Sequence, residues 1–386
     1  MKYVVAPDSF KGSITSMEAA KAISRAIQEA DQQAEVVELP MADGGEGTVD
    51  AVLLSRGGVK VTCRVEDPLG RVITASYGWI EEEKTAVIET AAASGLPLLK
   101  AEELNPYEAS SYGTGQLLRD AMEKGAETII LGLGGSATVD AGVGLFQALG
   151  LKVYGETGQE ISRVGGRLDR ISKVDAAMLE PRLKHANIIV ASDVTNPLLG
   201  KDGAVAVFGP QKGLAQDQLE RFEAGMASFA RVTAKAVQRD MSGEPGSGAA
   251  GGIGFLLQSL LTVEFRSGME LMVKLSRLEE HLDGADIVFT GEGKVDGQSL
   301  FGKVPVGVAR AARKKGVPAV AFAGMIGDGL DRLQAEGLTV VIPIVDQPMA
   351  LKEAMIEGER LLYKAATRVM QLILLEKREI GREQNE

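Results

Sequence analysis

The 386-residue chain has little cysteine and histidine, and its 42 Lys and Arg residues are fewer than its 53 Asp and Glu residues. Its one cysteine, Cys63, excludes an internal disulfide and a cysteine metal cluster, which indicates a protein of the reducing cytoplasm. The two histidines, His185 and His281, stand in polar contexts, so acid–base chemistry falls to carboxylates. The formal net charge of −11 and the lack of concentrated Lys and Arg argue against a nucleic-acid partner. A small anionic substrate would need a local Lys, Arg or metal ion.

Long apolar runs are also missing. The first apolar run is a short strand broken by Pro7-Asp8, too short for a signal peptide, and no later run approaches the length of a membrane span. We therefore expect no membrane partner. Because single cores stop growing near about 250 residues, the chain length favours two domains. The composition leaves the oligomeric state open, with a homo-oligomer among the alternatives.

A glycine turn follows a strongly apolar run near the middle of the chain. Residues 128–133 predict a buried strand, which ends at Gly134 and Gly135, and an apolar helical pattern resumes after Ser136 and Thr138. Adjacent glycines let the backbone approach a ligand closely, and the N–H groups at a helix start suit an anion such as phosphate. The alternative is a tight turn between strand and helix with no ligand.

Other predicted strands also end in loops rich in glycine and acidic residues. The strands, each with the residues that follow it, are 3–6 with Asp8 and Ser9, 35–39 with Asp43 and Gly44, 187–192 with Asp193, 287–290 with Gly291 and Glu292, and 317–323 with Gly324. In open α/β sheets, ligands bind outside the carboxyl ends of the strands. The repeated pattern therefore predicts a polar cleft that handles phosphates and a metal ion.

The order of the predicted elements indicates a discontinuous domain. Strand and helix alternate in residues 1–60, where Thr15 and Glu18 predict a capping box, and again in residues 284–386. Between them, residues 61–90 contain strand-like runs joined by turns too short for crossover helices, which is typical of an antiparallel meander. We therefore predict an α/β protein of two domains. Residues 1–60 plus 284–386 would form a doubly wound parallel sheet, and residues 61–283 an inserted α/β domain that contains the meander.

A series of short motifs runs over nearly the whole chain. They are DSFKGS (8–13), ADGGEGT (42–48), DPLGR (67–71), GTG (113–115), GLGGSAT (132–138), SDVTNPLLG (192–200), FGPQKG (208–213), GAAGGIG (248–254) and TGEGKVDGQSLFGK (290–303). In this series the chain resembles the bacterial glycerate kinases of type I. The resemblance implies phosphorylation of glycerate with ATP and Mg²⁺ by a protein with one Rossmann-like and one flavodoxin-like domain. One departure is Val139-Asp140, where the family has Asn-Asp, and the carboxylate is kept.

The resemblance and the residue chemistry together assign candidate roles. Phosphoryl transfer needs Mg²⁺ on one or two carboxylates, cations on the phosphoryl group and an acceptor for the hydroxyl proton. Asp193 is the predicted base, with metal anchor as its alternative role, and Asp8 is the second choice of base. Glu292 and Asp296 are predicted to bind Mg²⁺. The other candidates are Lys11 and Arg71 for a phosphate or the substrate carboxylate, Ser9, Asp43 and Glu46 for the glycerate hydroxyls, and Gly134, Gly135, Ser136 and Thr138 for the ATP phosphates.

Two glycine-containing segments allow more than one interpretation. Residues 297–304, GQSLFGKV, nearly match a Walker A loop, but Val304 lacks the hydroxyl that binds Mg²⁺, and the loop is predicted to follow an acidic turn instead of a strand. We interpret the match as false and keep Lys303 as a candidate phosphate contact. Residues 242–254 are either a flexible loop or a backbone nest for phosphate, and the resemblance favours the nest.

Two rival functions and the identity of the product remain open. The galactokinase and homoserine kinase group has a glycine loop similar to GLGGSA, but the other signatures of that group are missing here. A two-domain solute-binding protein for an anion would carry a secretion signal, which is not predicted. The sequence does not distinguish 2-phosphoglycerate from 3-phosphoglycerate as the product, or one glycerate enantiomer from the other.

Overall fold

The computed structural model describes residues 1–300 and 302–383, without the side chains of residues 298 and 376–383. The chain forms two compact units. Unit 1 consists of Met1–Asp43, Asp50–Arg56 and Met269–Glu386, and unit 2 of Gly44–Val49 and Gly57–Gly268. Across the described residues, no helix combines the length and the apolar character needed to cross a lipid bilayer.

The elements are numbered in chain order. The strands are β1 Lys2–Val5, β2 Glu35–Glu38, β3 Val59–Glu66, β4 Val72–Ile80, β5 Thr85–Glu89, β6 Thr128–Gly132, β7 Lys152–Tyr154, β8 Lys173–Asp175, β9 Asn187–Ala191, β10 Val263–Arg266, β11 Ile287–Val295, β12 Ala319–Ile326 and β13 Leu338–Pro343. The helices are α1 Ser16–Ala30, α2 Thr48–Arg56, α3 Ala91–Ser94, α4 Tyr112–Lys124, α5 Val143–Ala148, α6 Ala204–Phe208, α7 Leu219–Val237, α8 Ala249–Leu260, α9 Gly268–Leu275, α10 Leu278–His281, α11 Val304–Lys314, α12 Leu330–Ala335, α13 Leu351–Ile356 and α14 Gly358–Glu383.

Unit 1 contains a five-stranded parallel sheet in the order β2-β1-β11-β12-β13. Numbered within the unit, this order is 2-1-3-4-5, the flavodoxin-like form of a doubly wound sheet. The strand order reverses between β1 and β11, because the chain moves outward from β1 to β2 and later in the opposite direction. The carboxyl ends of β1 and β11 are therefore the expected place for a ligand of this unit.

The core of unit 1 is built from aromatic side chains on neighbouring strands and from two helices. Tyr3, Phe289 and Phe322 stack across β1, β11 and β12, with ring centroids 5.9 Å apart in each adjacent pair. Helices α1 and α14 add alanine, leucine and isoleucine side chains to the same cluster. The predicted capping box of α1 is confirmed: the Glu18 amide donates to Thr15 Oγ1, and the Thr15 amide donates to the Glu18 carboxylate.

Unit 2 contains a six-stranded mixed sheet in the order β10-β9-β6-β5-β4-β3. The pairs from β10 to β5 are parallel, whereas β3, β4 and β5 pair antiparallel, so the predicted meander is confirmed. Helices α4, α5, α7 and α8 contribute to one large apolar cluster with the sheet. The α/β fold class with a doubly wound sheet and a second α/β unit is confirmed as well.

The predicted end of β11 is wrong. The glycines after Thr290 suggested a loop, but β11 continues to Val295, because β12 pairs with it as far as Val295↔Ile326. Glycine is needed here for close packing, since a Cβ on Gly291 would lie 2.6 Å from the Phe322 carbonyl oxygen. Glu292 therefore lies within a strand and not in the loop that follows it.

The domain boundaries predicted from the sequence, 1–60 plus 284–386 and 61–283, stay a prediction about how the chain divides. We expect trypsin to cut native protein first after Arg56, which is exposed and precedes Gly57 and Gly58, both with positive φ. Mass spectrometry of the fragments checks this. The Arg56→Gln variant is the control, because it should lose this early cut alone. If trypsin does not cut early after Arg56, a domain boundary at this point is contradicted.

Candidate functional site

Unit 1 brings acidic side chains to the carboxyl ends of β1 and β11. Asp8 follows β1, and its amide donates to the Gly291 carbonyl in β11 at 2.8 Å. The Ser9 amide donates to Asp8 Oδ1 at 2.6 Å. Because this is where the strand order reverses, Asp8 lies where a ligand of a flavodoxin-like sheet is expected.

The Asp8 carboxyl group holds its proton unusually tightly. Burial and the nearby carboxylates of Asp43 and Glu292 raise its pKa to about 8, although the Ser9 amide and the Lys11 ammonium act in the opposite direction. Like charges that share a site disfavour ionisation of each other. A group of carboxylates with such a pKa shift is a candidate for catalysis or for binding a cation.

Glu292 is buried in β11 and has two donors on one oxygen. Ser299 Oγ donates to Glu292 Oε1 at 2.8 Å, and Lys303 Nζ lies 3.3 Å from the same oxygen. Burial raises the pKa of Glu292, and these two donors only partly offset it. Lys303 is the N-cap of α11, and its ammonium also donates to the Lys294 carbonyl at 3.1 Å. Its side chain therefore links the start of α11 to β11.

The near-match to a Walker A loop has a different structure from the one predicted. Only Asp296 separates β11 from the 3₁₀ turn Gly297–Leu300, so the loop leaves a strand almost directly, and that part of the prediction is wrong. Asp296 is buried, and its Oδ2 lies 2.6 Å from Lys294 Nζ. Val304 is the first residue of α11 and supplies no hydroxyl. Phe301, which belongs to the same motif, lies outside the described residues.

In unit 2, the glycine turn does not start a helix. Helix α5 begins at Val143, because the intervening segment is held in an extended form: the Ala137 amide donates to the Ser94 carbonyl, and the Leu96 amide to the Gly135 carbonyl, both at 2.8 Å. The expected helix N-terminus at the glycine turn is therefore wrong. Asp140 lies before α5 and not in its first turn.

The glycines of two motifs meet backbone to backbone. A Cβ on Gly132 would lie 2.4 Å from the Gly44 carbonyl oxygen, and one on Gly134 would lie 2.7 Å from Gly45 Cα. Such distances leave no room for a side chain. Glycine is thus required at the end of β6 for packing, independently of any ligand.

Asp140 is fully buried and is satisfied by four donors. Its Oδ2 accepts from the Ser111 amide and hydroxyl, each at 2.8 Å, and from the Gly144 amide at 3.2 Å. Its Oδ1 accepts from the Gly142 amide at 3.1 Å. Burial raises the pKa of Asp140 despite these donors. The carboxylate thereby connects the start of α4 with the start of α5.

Lys212 is a buried lysine beside the glycine turn. Lys212 is 2% exposed, and its Nζ donates to Ser136 Oγ and to the Thr138 carbonyl, each at 2.8 Å. Burial lowers the pKa of Lys212 to about 7, although the Asp140 carboxylate acts in the opposite direction. An ammonium is rarely enclosed in this way without a role.

The second half of the segment 242–254 packs tightly against the same region. Ala250, Gly251 and Gly252 are all left-handed, and a Cβ on Gly251 would lie 1.9 Å from the Thr138 carbonyl oxygen. The Ala141 amide donates to the Gly251 carbonyl at 3.1 Å. The backbone of this half is therefore closely packed and largely buried, whereas residues 243–245 in the first half of the segment are exposed.

The other residues predicted for the site differ in their exposure and in their ion pairs. Asp193 follows β9 as predicted, but it is exposed, as are Glu46 and Lys11. Arg71 forms ion pairs with Asp67 at 2.5 Å and with Glu103 at 2.6 Å. Ser9 and Asp43 are half-buried. The described side chains include no group of three or more His, Cys, Asp or Glu residues arranged to enclose a metal ion.

Known proteins resemble this chain over nearly its whole length. The model of the glycerate kinase family matches residues 3–374. The chain is 43% identical to the glycerate 2-kinase of Escherichia coli over 92% of this chain and 93% of the relative, and 42% identical to the glycerate kinase of Halalkalibacterium halodurans over 95% and 96%. A crystal structure of a putative glycerate kinase 2 from Salmonella typhimurium superimposes with a TM-score of 0.84 at 39% identity, covering 98% of this chain and 99% of that one.

The chain belongs to the glycerate kinase family. It is therefore a kinase, an enzyme that transfers a phosphoryl group from a nucleotide to a small molecule. The resemblance identified from the motifs is confirmed.

Sequence reasoning missed Lys212 and Ser299 as candidate site residues. Lys212 stands within the FGPQKG motif, but nothing local distinguishes it from an exposed lysine. Its partners Ser136 and Thr138 are 76 and 74 positions away in the chain. Ser299 lies seven positions after Glu292, and only the course of β11 and the following turn brings them together.

The buried Lys212 should make stability depend on pH. Because the pKa of Lys212 is lower in the folded state than in the unfolded chain, the unfolded state binds more protons between pH 7 and about 10. The free energy of unfolding should therefore rise with pH in this range, by at most about 1.4 kcal/mol per pH unit from this group. When unfolding by urea is measured at several pH values, the Lys212→Met variant should lack this contribution to the rise of unfolding free energy with pH.

The matched control is Lys201→Met, which removes an exposed lysine of the same unit and should leave the slope as in the unchanged protein. An equal slope in Lys212→Met and the unchanged protein would contradict the assignment of a depressed pKa to Lys212.

Proposed function

We propose that this kinase transfers the γ-phosphoryl group of ATP to the 2-hydroxyl of glycerate, giving 2-phosphoglycerate. The observation that carries the proposal is the identity of 43% to the E. coli glycerate 2-kinase over nearly the whole of both chains. A cytoplasmic location agrees with the single cysteine and with ATP as the phosphoryl donor.

The carboxylates of Asp8, Asp43 and Glu292 in unit 1 fit Mg²⁺ as the metal of the reaction. Mg²⁺ in kinases is commonly held by one or two carboxylates together with substrate phosphates and water, so a complete protein cage is not required. Burial first, and then the negative charges of Asp43 and Glu292, raise the pKa of Asp8, and a divalent cation would relieve the repulsion between these charges. When bound, Mg²⁺ would neutralise charge on the phosphates.

We propose Glu292 and Asp296 as the residues that hold Mg²⁺. Glu292 has the stronger support, because its charge acts on Asp8 at the carboxyl end of β1. Each carboxylate now has an ammonium partner, Lys303 for Glu292 and Lys294 for Asp296. These lysines would then be available to phosphate oxygens, which is the role proposed for Lys303.

The proton of the glycerate hydroxyl needs a carboxylate acceptor. We propose Asp193 as that base, with Asp8 as the alternative. Asp193 follows β9 and is open to solvent, whereas Asp8 has a pKa of about 8, close to the pH at which a general base works best. The lysine next to this alternative base, Lys11, supplies positive charge for a phosphate or for the glycerate carboxylate.

The other proposed contacts follow from the motifs. Ser9, Asp43 and Glu46 would bind the glycerate hydroxyls. Gly134, Gly135, Ser136 and Thr138 would contact the ATP phosphates, without the helix N-terminus first expected there. Arg71 has the weakest support, because two carboxylates already occupy its guanidinium group.

Phosphorus NMR tests the reaction directly. Purified protein with ATP, Mg²⁺ and glycerate should give the resonance of 2-phosphoglycerate, and no phosphorylated product should form from galactose or homoserine. Separate D- and L-glycerate samples identify the enantiomer used. A product resonance of 3-phosphoglycerate would correct the position, and the absence of glycerate-dependent ATP turnover would contradict the proposal.

The roles of the carboxylates can be distinguished by how the activity of each variant depends on Mg²⁺. Glu292→Gln and Asp296→Asn should raise the Mg²⁺ concentration needed for half-maximal rate, and excess Mg²⁺ should restore part of the rate, because each removes a negatively charged ligand. Asp193→Asn should lower kcat by on the order of 10² to 10⁴ without rescue by Mg²⁺, as for a lost base.

Asp8→Asn, measured in parallel, decides between the two bases, and the exposed Asp217→Asn is the control that should change nothing. Near-normal kcat in Asp193→Asn together with a large loss in Asp8→Asn would transfer the base to Asp8. Rescue of Asp193→Asn by Mg²⁺ would instead move Asp193 to the metal.

A further inference from the structure

A buried hydroxyl in unit 2 has no hydrogen-bond partner among the described residues. Thr138 is 0% exposed, and its Oγ1 forms no hydrogen bond with any described group. Buried polar atoms are nearly always paired, because an unpaired one loses its bonds to water without replacement. An exception of this kind calls for an explanation, such as a ligand that supplies the missing partner.

A positively charged donor, the Lys212 ammonium, contacts the backbone of the same residue. Lys212 Nζ donates to the Thr138 carbonyl and to Ser136 Oγ, which uses two of the three N–H groups of an ammonium. The Asp140 carboxylate acts on Lys212 only through space and is already satisfied by four donors. Lys212 therefore keeps one N–H without an acceptor among the described residues.

The backbone around these groups is strained and closely fitted. Ala141 and Ala250 both have a φ of 54°, which is uncommon for residues other than glycine. The contact of Gly251 with the Thr138 carbonyl excludes any side chain at position 251. Strain that persists because the surroundings enforce it is characteristic of functional sites.

We propose that the Lys212 ammonium and the Thr138 hydroxyl form a subsite for one anionic oxygen of a substrate. The oxygen belongs either to an ATP phosphate or to the glycerate carboxylate, since both would accept hydrogen bonds from an ammonium and a hydroxyl. The identity of these two ligands rests on the proposed function. Because both groups are buried, the oxygen can enter only when the segment 134–138 separates from its backbone partners at Ser94 and Leu96.

The substitution Thr138→Val tests the subsite. Valine has nearly the shape of threonine and removes only the hydroxyl. Because this hydroxyl has no partner, the variant should be as stable as the unchanged protein or more so in urea melts. Its affinity for the ligand should nevertheless fall, by about tenfold, measured by isothermal titration calorimetry. A purely structural threonine would not combine retained stability with lost affinity.

The matched control is Thr233→Val in α7. Thr233 is also 0% exposed, and its hydroxyl has no partner within the part of the chain that the structure describes. It should respond in stability as Thr138→Val does, with no change in affinity. Lys212→Met should weaken binding of the same ligand as Thr138→Val, and Lys212→Arg should keep part of the affinity, because it keeps the positive charge.

Titrations with ATP alone and with glycerate alone identify the source of the oxygen. Weaker binding of ATP only assigns the subsite to a phosphate, and weaker binding of glycerate only assigns it to the carboxylate. Binding of both ligands as in the unchanged protein overturns the subsite. If the unchanged protein phosphorylates glycerate while Thr138→Val binds normally, the subsite fails and the proposed function stands. If Thr138→Val loses ATP affinity but the unchanged protein does not use glycerate, the proposed function fails and the subsite stands.

Discussion

A charged group that leaves water must find hydrogen-bond donors, acceptors or an opposite charge, and this requirement shapes both units. In unit 1, Glu292 is buried in the middle of β11 and depends on Ser299 and Lys303. In unit 2, Asp140 depends on amides and a hydroxyl at the starts of α4 and α5, and Lys212 depends on Ser136 and Thr138. The loops after the strands are held in place by these groups.

Glycine serves this arrangement by letting backbones come close. The contacts of Gly132 with Gly44 and of Gly251 with Thr138 are backbone contacts at distances that no side chain allows. Glycine-rich motifs are often interpreted as phosphate-binding loops. Here packing already accounts for several of these glycines, and side chains beside them add further candidate ligand contacts.

The two units carry opposite local charges. Unit 1 collects carboxylates at the reversal of its strand order, which favours a cation. Unit 2 encloses an ammonium beside an unpaired hydroxyl, which favours an anion. A kinase needs both functions, since the metal neutralises phosphate charge and fixed donors orient the oxygens.

The sequence by itself determined the alternation of strands and helices, the meander of unit 2, the capping box at Thr15 and the family, because these depend on local periodicity and on motifs read in order. Tertiary structure decided the length of β11 through its pairing with β12, and the late start of α5 through the bonds of Gly135 and Ala137 to residues 94–96. It also decided that Lys212 is buried and Asp193 exposed. Burial depends on neighbours far away in the chain, which no local pattern specifies.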